Sequence, residues 1–243
     1  MRIIKVKDYE ELSRRAADVI AAVVILKPDC VLGLATGSSP IGTYNVLAEK
    51  YQEGVLDFSH VRTVNLDEYC GLDIESSQSY VWFMHHHLFD RINIDPANTH
   101  FPDGSEMDEK AACRKYDETL RAMGRVDLQL LGLGPDGHIG SNEPADSFPS
   151  GTHKVALHES TIKANGRFFS SEDEVPEYAY TMGIGSIMSA RRVLMVVSGK
   201  EKASILKQAF AGPVVPQIPA SILQFHPDFT LIADEAALSE LWT

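Results

Sequence analysis

The sequence predicts a single-domain, Rossmann-like, doubly wound α/β fold in which helices flank a mostly parallel sheet. Two observations predict this class: short apolar runs recur along the chain, and amphipathic segments with helical spacing lie between them. Runs that are apolar nearly throughout are typical of parallel strands, because helices cover both faces of such a sheet. No linker or break in composition divides residues 1–243, so we expect one domain.

The predicted elements alternate in chain order, as a doubly wound sheet requires. The apolar runs predict strands at Cys30–Ala35, Val61–Leu66, Val126–Leu133, Val193–Ser198 and Phe229–Ala233. The amphipathic segments predict helices at Tyr9–Leu26, Gly42–Gln52, Ser79–Arg91, Met107–Met123, Lys200–Ala211 and Glu235–Leu241. Ligands of open α/β sheets bind beyond the carboxyl ends of the strands, so a site is expected in the turns that follow them.

Composition narrows the classes of function. The chain carries 34 acidic and 22 basic residues, and its formal net charge of −12 disfavours contact with nucleic acid or anionic membranes. No apolar run approaches the roughly 20 residues that span a bilayer, and the first residues lack the apolar stretch of a signal peptide. The three cysteines, Cys30, Cys70 and Cys113, are widely spaced and favour reduced thiols in a cytoplasmic protein.

The turn after the first predicted strand has the composition of a phosphate-binding loop. Thr36, Gly37, Ser38 and Ser39 are small or carry hydroxyl groups, and Pro40 suits the first turn of the helix that follows. The amides and positive dipole end of that helix would attract an anion. The alternative is a tight turn in which a serine caps the helix, because the chain lacks the G-K-[ST] signature there.

The second predicted turn begins with two adjacent acids, Asp67 and Glu68. A carboxylate directly after a buried strand faces the ligand cleft, where burial raises its pKa toward a value useful for proton abstraction. We interpret Asp67 as a candidate general base. A solvated loop acid is its alternative, and for Glu68 a loop acid or a helix N-cap is the favoured interpretation.

The third turn is rich in glycine and holds Asp136, His138 and Glu143 within eight residues. A histidine flanked by two acids is held in one tautomer and can move protons near neutral pH. A divalent metal site is the rival interpretation, since all three residue types are metal ligands. The chain has no H-E-x-x-H motif and no second histidine nearby at helical spacing, so we expect no metal.

These segments resemble the glucosamine-6-phosphate deaminases, also called glucosamine-6-phosphate isomerases. The matching motifs follow in order: LGLATGSSP at 32–40, NLDEYCGL at 65–72, GPDGHIGSNEP at 134–144, NGRFF at 165–169 and SGKEKA at 198–203. The related 6-phosphogluconolactonases typically have Ala-Ser-Leu-Phe-Pro after the histidine and Asp-Glu-Arg in the early acidic motif. The chain instead has Asn142-Glu143-Pro144 and Asp67-Glu68-Tyr69, which favour the deaminases.

The resemblance implies an enzyme, a hydrolase or isomerase of carbohydrate metabolism. It would convert glucosamine 6-phosphate to fructose 6-phosphate and ammonia in amino-sugar catabolism and N-acetylglucosamine utilisation, without a cofactor. Asp67 would move a proton between C2 and C1, and His138 would assist ring opening while Asp136 and Glu143 orient and tune it. By the same resemblance the phosphate binders are Thr36, Gly37, Ser38, Ser39, Arg167 and Lys202.

Three further expectations depend on the resemblance. Ser141 stands where many relatives carry an aromatic residue, so we expect looser packing beside Glu143. The segment at about 158–180 has mixed charge and carries Arg167, and we predict that it is a mobile lid over the sugar. The larger hexameric relatives have a longer tail and a basic allosteric site, whereas residues 151–155 are only partly basic. We therefore expect a monomer without allostery, with a homo-oligomer as the alternative.

Two other functions are weighed against the deaminase. A 6-phosphogluconolactonase-like hydrolase would use the same fold on another sugar phosphate. A non-catalytic sugar-phosphate sensor would resemble the effector domains of some bacterial transcription regulators, but the first predicted strand begins too early to leave room for a DNA-binding module. In every case the expected partner is a small phosphorylated sugar.

Overall fold

A central sheet of seven parallel strands organises the protein, whose computed structural model describes residues 1–166, 169 and 174–241. Its strands are β1 (Arg2–Val6), β2 (Val31–Leu34), β3 (Arg62–Asn65), β5 (Thr99–His100), β6 (Leu128–Leu131), β9 (Val193–Val197) and β10 (Phe229–Asp234). A smaller antiparallel sheet contains β4 (Asp67–Tyr69), β7 (His153–Ala156) and β8 (Tyr178–Thr181), with β8 in the middle.

Seven α-helices occur in the described part of the chain. They are α1 (Tyr9–Leu26), α2 (Ile41–Gln52), α3 (Tyr80–His87), α4 (Glu109–Met123), α5 (Glu159–Asn165), α6 (Ile184–Met188) and α7 (Ala203–Ala211). Short 3₁₀ helices occupy Phe89–Arg91, Pro96–Asn98, Lys200–Lys202 and Pro219–Phe225. None of the helices described is long and apolar enough to cross a membrane.

Helices cover both faces of the large sheet, and a separate apolar core lies on each side. Side chains of β9 alternate between the two cores: Val193, Met195 and Val197 enter one, whereas Leu194 and Val196 enter the other. α1 and α2 pack into the second core, and α6 and α7 into the first. Burial on both faces explains why the strands are apolar nearly throughout. The predicted doubly wound, mostly parallel architecture is confirmed.

The strand order reverses direction between β2 and β6. The strands run β1-β10-β9-β6-β2-β3-β5 across the sheet. From β2 the chain proceeds outward through β3 to β5, then returns to the other side of β2 and proceeds through β6 and β9 to β10. At such a switch point the connections leave in opposite directions, and a crevice opens beyond the carboxyl ends of the two strands. The turns after β2 and β6 therefore lie side by side.

The five predicted strands and five of the six predicted helices are confirmed, with ends that shift by a few residues. The predicted helix at Glu235–Leu241 is wrong, because this segment forms successive turns. Ala237, Leu238 and Leu241 are buried in the first core. Their helical spacing thus reflects contact with the core, although the Asp234 carboxylate accepts a hydrogen bond from the Ala237 amide as an N-cap would.

Candidate active site

The turn after β2 forms one wall of the site. Residues 36–39 leave the carboxyl end of the strand, and Gly37 has a φ of +87°, which side-chain-bearing residues rarely adopt. The cap position of α2 is occupied by Pro40, which offers no side-chain hydrogen bond. The alternative of a serine cap is therefore wrong for this helix. Its positive end instead points toward the turn, as an anion site requires.

Two tyrosines hold this turn in place. The hydroxyl of Tyr9, from α1, accepts a hydrogen bond from the Gly42 amide at 2.9 Å and lies 3.0 Å from the Ser38 carbonyl. The hydroxyl of Tyr44, in α2, donates to the carbonyl of Ala35 at 2.5 Å. Because the backbone is fixed from both sides, the turn is preorganised before any ligand arrives.

Asp67 begins β4 and does not lie in a loop. It pairs with Thr181 of β8 and is only 6% exposed. Its Oδ2 accepts a hydrogen bond of 2.6 Å from the Ser141 hydroxyl. Burial raises the pKa of Asp67 to about 6, against the opposing effects of this hydrogen bond and of the positive charge on His138. A carboxyl group with such a pKa can take up and return a proton near neutrality.

Glu68 serves a different purpose from its neighbour. Successive residues of a strand point to opposite faces, so Glu68 turns away from Asp67. Its carboxylate accepts hydrogen bonds of 3.0 Å from the amides of Tyr80 and Val81, in the first turn of α3. The expectation of a loop acid or an N-cap is therefore wrong for Glu68, which is a buried strand residue, and Ser79 is the N-cap of α3. The Glu68 contacts instead complement the positive end of that helix from a neighbouring strand.

The loop after β6 folds back on itself and brings its histidine over a glycine. The amide of Gly134 donates to the carbonyl of His138 at 3.0 Å. A Cβ atom at residue 134 would come within 2.3 Å of the His138 ring. Only glycine leaves room for the imidazole in this position.

His138 is held by two acids. Its Nδ1 lies 2.7 Å from Oδ1 of Asp136 and 3.6 Å from Oε2 of Glu143. Burial opposes protonation of His138, but the hydrogen bonds and charges of both carboxyl groups raise its pKa to about 9. Burial also opposes ionisation of Asp136, yet its hydrogen bond to His138 holds its pKa well below the usual value. Since Nδ1 is engaged, Nε2 is the nitrogen left for a ligand.

The turn after β2, the strand β4 and the loop after β6 converge on one cavity of 480 Å³. Its walls include most of the predicted site residues: Thr36, Gly37, Ser38, Ser39, Asp67, His138 and Lys202. Asp136 and Glu143 are not part of the wall and contact His138 from behind. The ammonium group of Lys202 donates to the Leu133 carbonyl at 2.7 Å, which places it at the end of β6 beside the anion turn. Arg167 lies outside the described residues.

Several residues of the cavity wall were not predicted as site residues from the sequence. Ser141, which bonds Asp67, belongs to the 134–144 motif, so its position was a signal that could have found it. Trp82 and His87 contribute from α3, and nothing in their local pattern indicates a site. They reach the cavity because Glu68 fixes the start of α3 next to β4.

The predicted lid is divided among different structures. α5 forms its first part, and Thr161 and Asn165 line the cavity. The amide of His158, just before α5, donates to Oε1 of Glu143 at 3.3 Å. Residues 178–180 belong to β8 in the small sheet, and residues 167, 168 and 170–173 lie outside the described part.

The acid–histidine cluster also has the ligand set of a metal site. Asp136, His138 and Glu143 each offer a ligand atom, and these atoms lie within 4.8 Å of one another. A protonated imidazole between two carboxyl groups compensates their charge without an ion, and the Nδ1–Asp136 hydrogen bond is already formed. The cluster is thus accounted for by acid–base chemistry.

Comparison with known proteins agrees with the fold and the motifs. The family model of glucosamine-6-phosphate isomerases/6-phosphogluconolactonase matches residues 7–231. A glucosamine-6-phosphate deaminase of Lachnoclostridium phytofermentans is 55% identical over 232 residues, which cover 96% of this chain and 98% of the relative. A protein of the same name from Halothermothrix orenii is 51% identical over 241 residues, 99% of this chain and 100% of the relative.

Solved structures of two kinds resemble the chain, at different levels of sequence identity. The structure of a monomeric glucosamine-6-phosphate deaminase matches with a TM-score of 0.96 and 44% identity, over 99% of this chain and 100% of that one. A 6-phosphogluconolactonase from Thermotoga maritima matches with a TM-score of 0.75 and 21% identity, over 96% and 99% of the two chains. The second likeness shows a shared fold alone.

The fold and the cavity define an α/β protein whose ligand cleft joins an anion-binding turn to acid–base groups. With the matches above, the chain belongs to the family of glucosamine-6-phosphate isomerases and 6-phosphogluconolactonases.

Replacing Asp136 by Asn should lower the pKa of His138. The variant removes the carboxylate that accepts from Nδ1 and leaves burial in force, so the pKa should fall from about 9 toward or below its ordinary value. NMR titration of the His138 ring resonances measures this shift. Asp90→Asn, which removes the surface partner of His85, is the matched control. An unchanged His138 titration in the Asp136 variant would contradict the assigned cause.

Proposed function

We propose that the protein is a glucosamine-6-phosphate deaminase, which converts glucosamine 6-phosphate and water to fructose 6-phosphate and ammonia. The observation that carries this proposal is the convergence of an anion-binding turn, a buried carboxyl group and a carboxylate-held histidine on one cavity. Relatives of that name, 48–55% identical over nearly the whole chain, support the substrate. The lactonase alternative has only distant support, and a sensor would not need the acid–base groups.

The phosphate binds, in this proposal, between the turn after β2 and the cation of Lys202. The dipole end of α2 and the hydroxyl groups of Thr36, Ser38 and Ser39 supply hydrogen-bond donors, and Lys202 supplies charge. By resemblance Arg167 is a second cation for the same phosphate. Binding at this end directs the sugar carbons toward Asp67 and His138, which line the rest of the cavity.

Ring opening is assigned to His138. Its pKa of about 9 keeps the imidazole protonated at neutral pH. Nε2 donates a proton to the ring oxygen O5 as the C1–O5 bond breaks, and then regains a proton from the hydroxyl on C1. The result is an open-chain aldehyde, and His138 ends in its starting state. Asp136 and Glu143 stabilise the charged imidazole while it waits to react.

Isomerisation is assigned to Asp67. The carboxylate removes the proton on C2, the C1–C2 double bond forms, and O1 takes a proton from the C2 ammonium group. Asp67 then returns its proton to C1, and the nitrogen lone pair forms a C2 iminium ion. Water adds to C2 and ammonia leaves, which gives the ketone. A base that must both accept and return a proton needs a pKa near neutrality, as burial gives Asp67.

One assay tests the proposed function directly. The protein is incubated with glucosamine 6-phosphate, and ammonia and fructose 6-phosphate are measured; we expect equal amounts of both. A parallel incubation with 6-phosphogluconolactone should show little turnover above the spontaneous rate. Hydrolysis of the lactone without ammonia release from the amino sugar would overturn the proposal.

We further propose a monomeric, cytoplasmic enzyme. Light scattering that gives twice the mass of one chain would contradict the monomer.

Asp67→Asn should lower kcat by about 10²–10⁴-fold, because the variant lacks the general base. Binding of fructose 6-phosphate, measured by calorimetry, should change little. In the wild-type enzyme kcat/KM should fall about tenfold per pH unit below about 6, where Asp67 becomes protonated. Glu75→Gln, an exposed acid on the nearby loop, is the control. A wild-type rate in the Asp67 variant would exclude it as the base.

Lys202→Ala should mainly raise KM for glucosamine 6-phosphate, by about tenfold, because a charge-assisted contact with the phosphate is lost in ground and transition states alike. The matched control is Lys200→Ala, which removes an exposed lysine from the same 3₁₀ helix. A large fall in kcat with an unchanged KM would contradict the anchoring role.

We also propose that α5 is the described part of a lid. Asn165 donates to the Tyr69 hydroxyl at 2.9 Å, and Phe169 packs edge-on against the Tyr69 ring, so this segment already lies over the cavity. Fructose 6-phosphate should slow hydrogen exchange of the α5 amides, while those of α1 stay unchanged. Equal exchange of α5 in the free and bound protein would count against a lid.

A further inference from the structure

We propose that Ser141 is a positioning residue for the reaction: its hydroxyl holds Oδ2 of Asp67 and thereby presents Oδ1 to the proton on C2. This inference rests on the proposed function and deepens it. It also revises the expectation for residue 141, which treated the small side chain only as looser packing beside Glu143. The contact that Ser141 makes is instead with the proposed base.

The contact is short, buried and between complementary groups. The Ser141 Oγ donates to Asp67 Oδ2 at 2.6 Å, and both residues are 6% exposed. Bonds from a hydroxyl group to an ionised carboxylate are among the shorter and stronger hydrogen bonds of proteins. Among the described residues, no hydrogen bond to Oδ1 of Asp67 is formed, so the two oxygens of this carboxylate differ. One is engaged by the protein, and the other is left for the substrate.

The backbone on both sides of the hydroxyl is fixed. The Ser141 amide donates to Oγ1 of Thr181 at 3.1 Å, and Thr181 is the residue paired with Asp67 across the small sheet. The side chain of Asn142 donates to the carbonyls of Ile139 and Met182, each at 2.8 Å. Asp67 and Ser141 are therefore both positioned by the same strand, β8. Their separation is set by buried hydrogen bonds and does not depend on a freely rotating side chain.

This arrangement has two consequences for a carboxylate base. The hydrogen bond fixes the rotation of the Asp67 carboxyl group, which keeps the reacting oxygen aimed at one position in the cavity. It also stabilises the ionised form, which burial alone would disfavour. Without the hydroxyl, more of the Asp67 population would be protonated at a given pH and unable to accept the C2 proton. A serine that only fills space would have neither effect.

Ser141→Ala tests the role through the pH dependence of turnover. The acidic limb of the kcat/KM profile should move upward by about one pH unit, because a hydrogen bond to the ionised carboxylate is removed. The loss of rate that comes from protonation should be about fivefold at pH 6 and approach tenfold at lower pH. Above pH 8, where Asp67 is ionised in both proteins, only the smaller loss from a less well oriented carboxylate should remain. Ser141→Thr, which retains a hydroxyl, should restore the wild-type limb, and Ser189→Ala, an exposed serine, should leave the profile unchanged.

An unmoved acidic limb in a Ser141→Ala protein that melts like wild type would overturn the proposal, whether or not the rate falls uniformly at every pH. Carbon-13 NMR titration of the Asp67 carboxyl group in the ligand-free protein gives a readout that needs no turnover. A higher Asp67 pKa in Ser141→Ala supports the inference even if wild-type protein does not deaminate glucosamine 6-phosphate. An unchanged Asp67 pKa overturns it even if the deaminase assay succeeds.

Discussion

The reversal of strand order between β2 and β6 is the constraint on which the site depends. Neighbouring parallel strands whose connections leave in opposite directions cannot close the space above their carboxyl ends. The turn at residues 36–39 and the loop at residues 134–144 come to lie next to each other for this reason, although about a hundred residues separate them. The small sheet then adds Asp67 from a third direction, through the pairing of β4 with β8. No single segment contains the chemistry.

Electrostatics divides the cavity into two unlike halves within a protein of formal net charge −12. At the end beyond β2, a helix dipole and Lys202 create a positive environment for an anion. At the other end, two carboxyl groups share the imidazolium of His138, and burial raises the pKa of a third acid, Asp67, to about 6. An acidic surface does not prevent anion binding, because close and oriented groups outweigh distant charges screened by salt.

The sequence predicted the central strands, most helices and the turns after β2 and β6 because each depends on local patterns. Apolar runs identified the strands buried on both faces, and short glycine-containing motifs identified the turns. It did not predict β1, β5 or the small sheet, whose strands are short or pair over long distances and lack a local signature. The helix at Glu235–Leu241 was predicted from a spacing that core contact alone explains. The proximity of Ser141 to Asp67 depends on Thr181, 40 residues further along the chain, and no local pattern reports it.

Because successive side chains of β4 point to opposite faces, its two adjacent acids cannot exchange roles. Asp67 faces the cavity, whereas Glu68 anchors α3, which carries Trp82 and His87 on the cavity wall. If the pairing of β4 with β8 slipped by one residue, Glu68 would point into the cleft in place of Asp67. The same slip would remove the contacts of the Glu68 carboxylate with α3. Lengthening this strand is therefore not a workable way to move the carboxylate closer to a different sugar. Changes would have to come from the loops, where residue 141 can vary without altering the register.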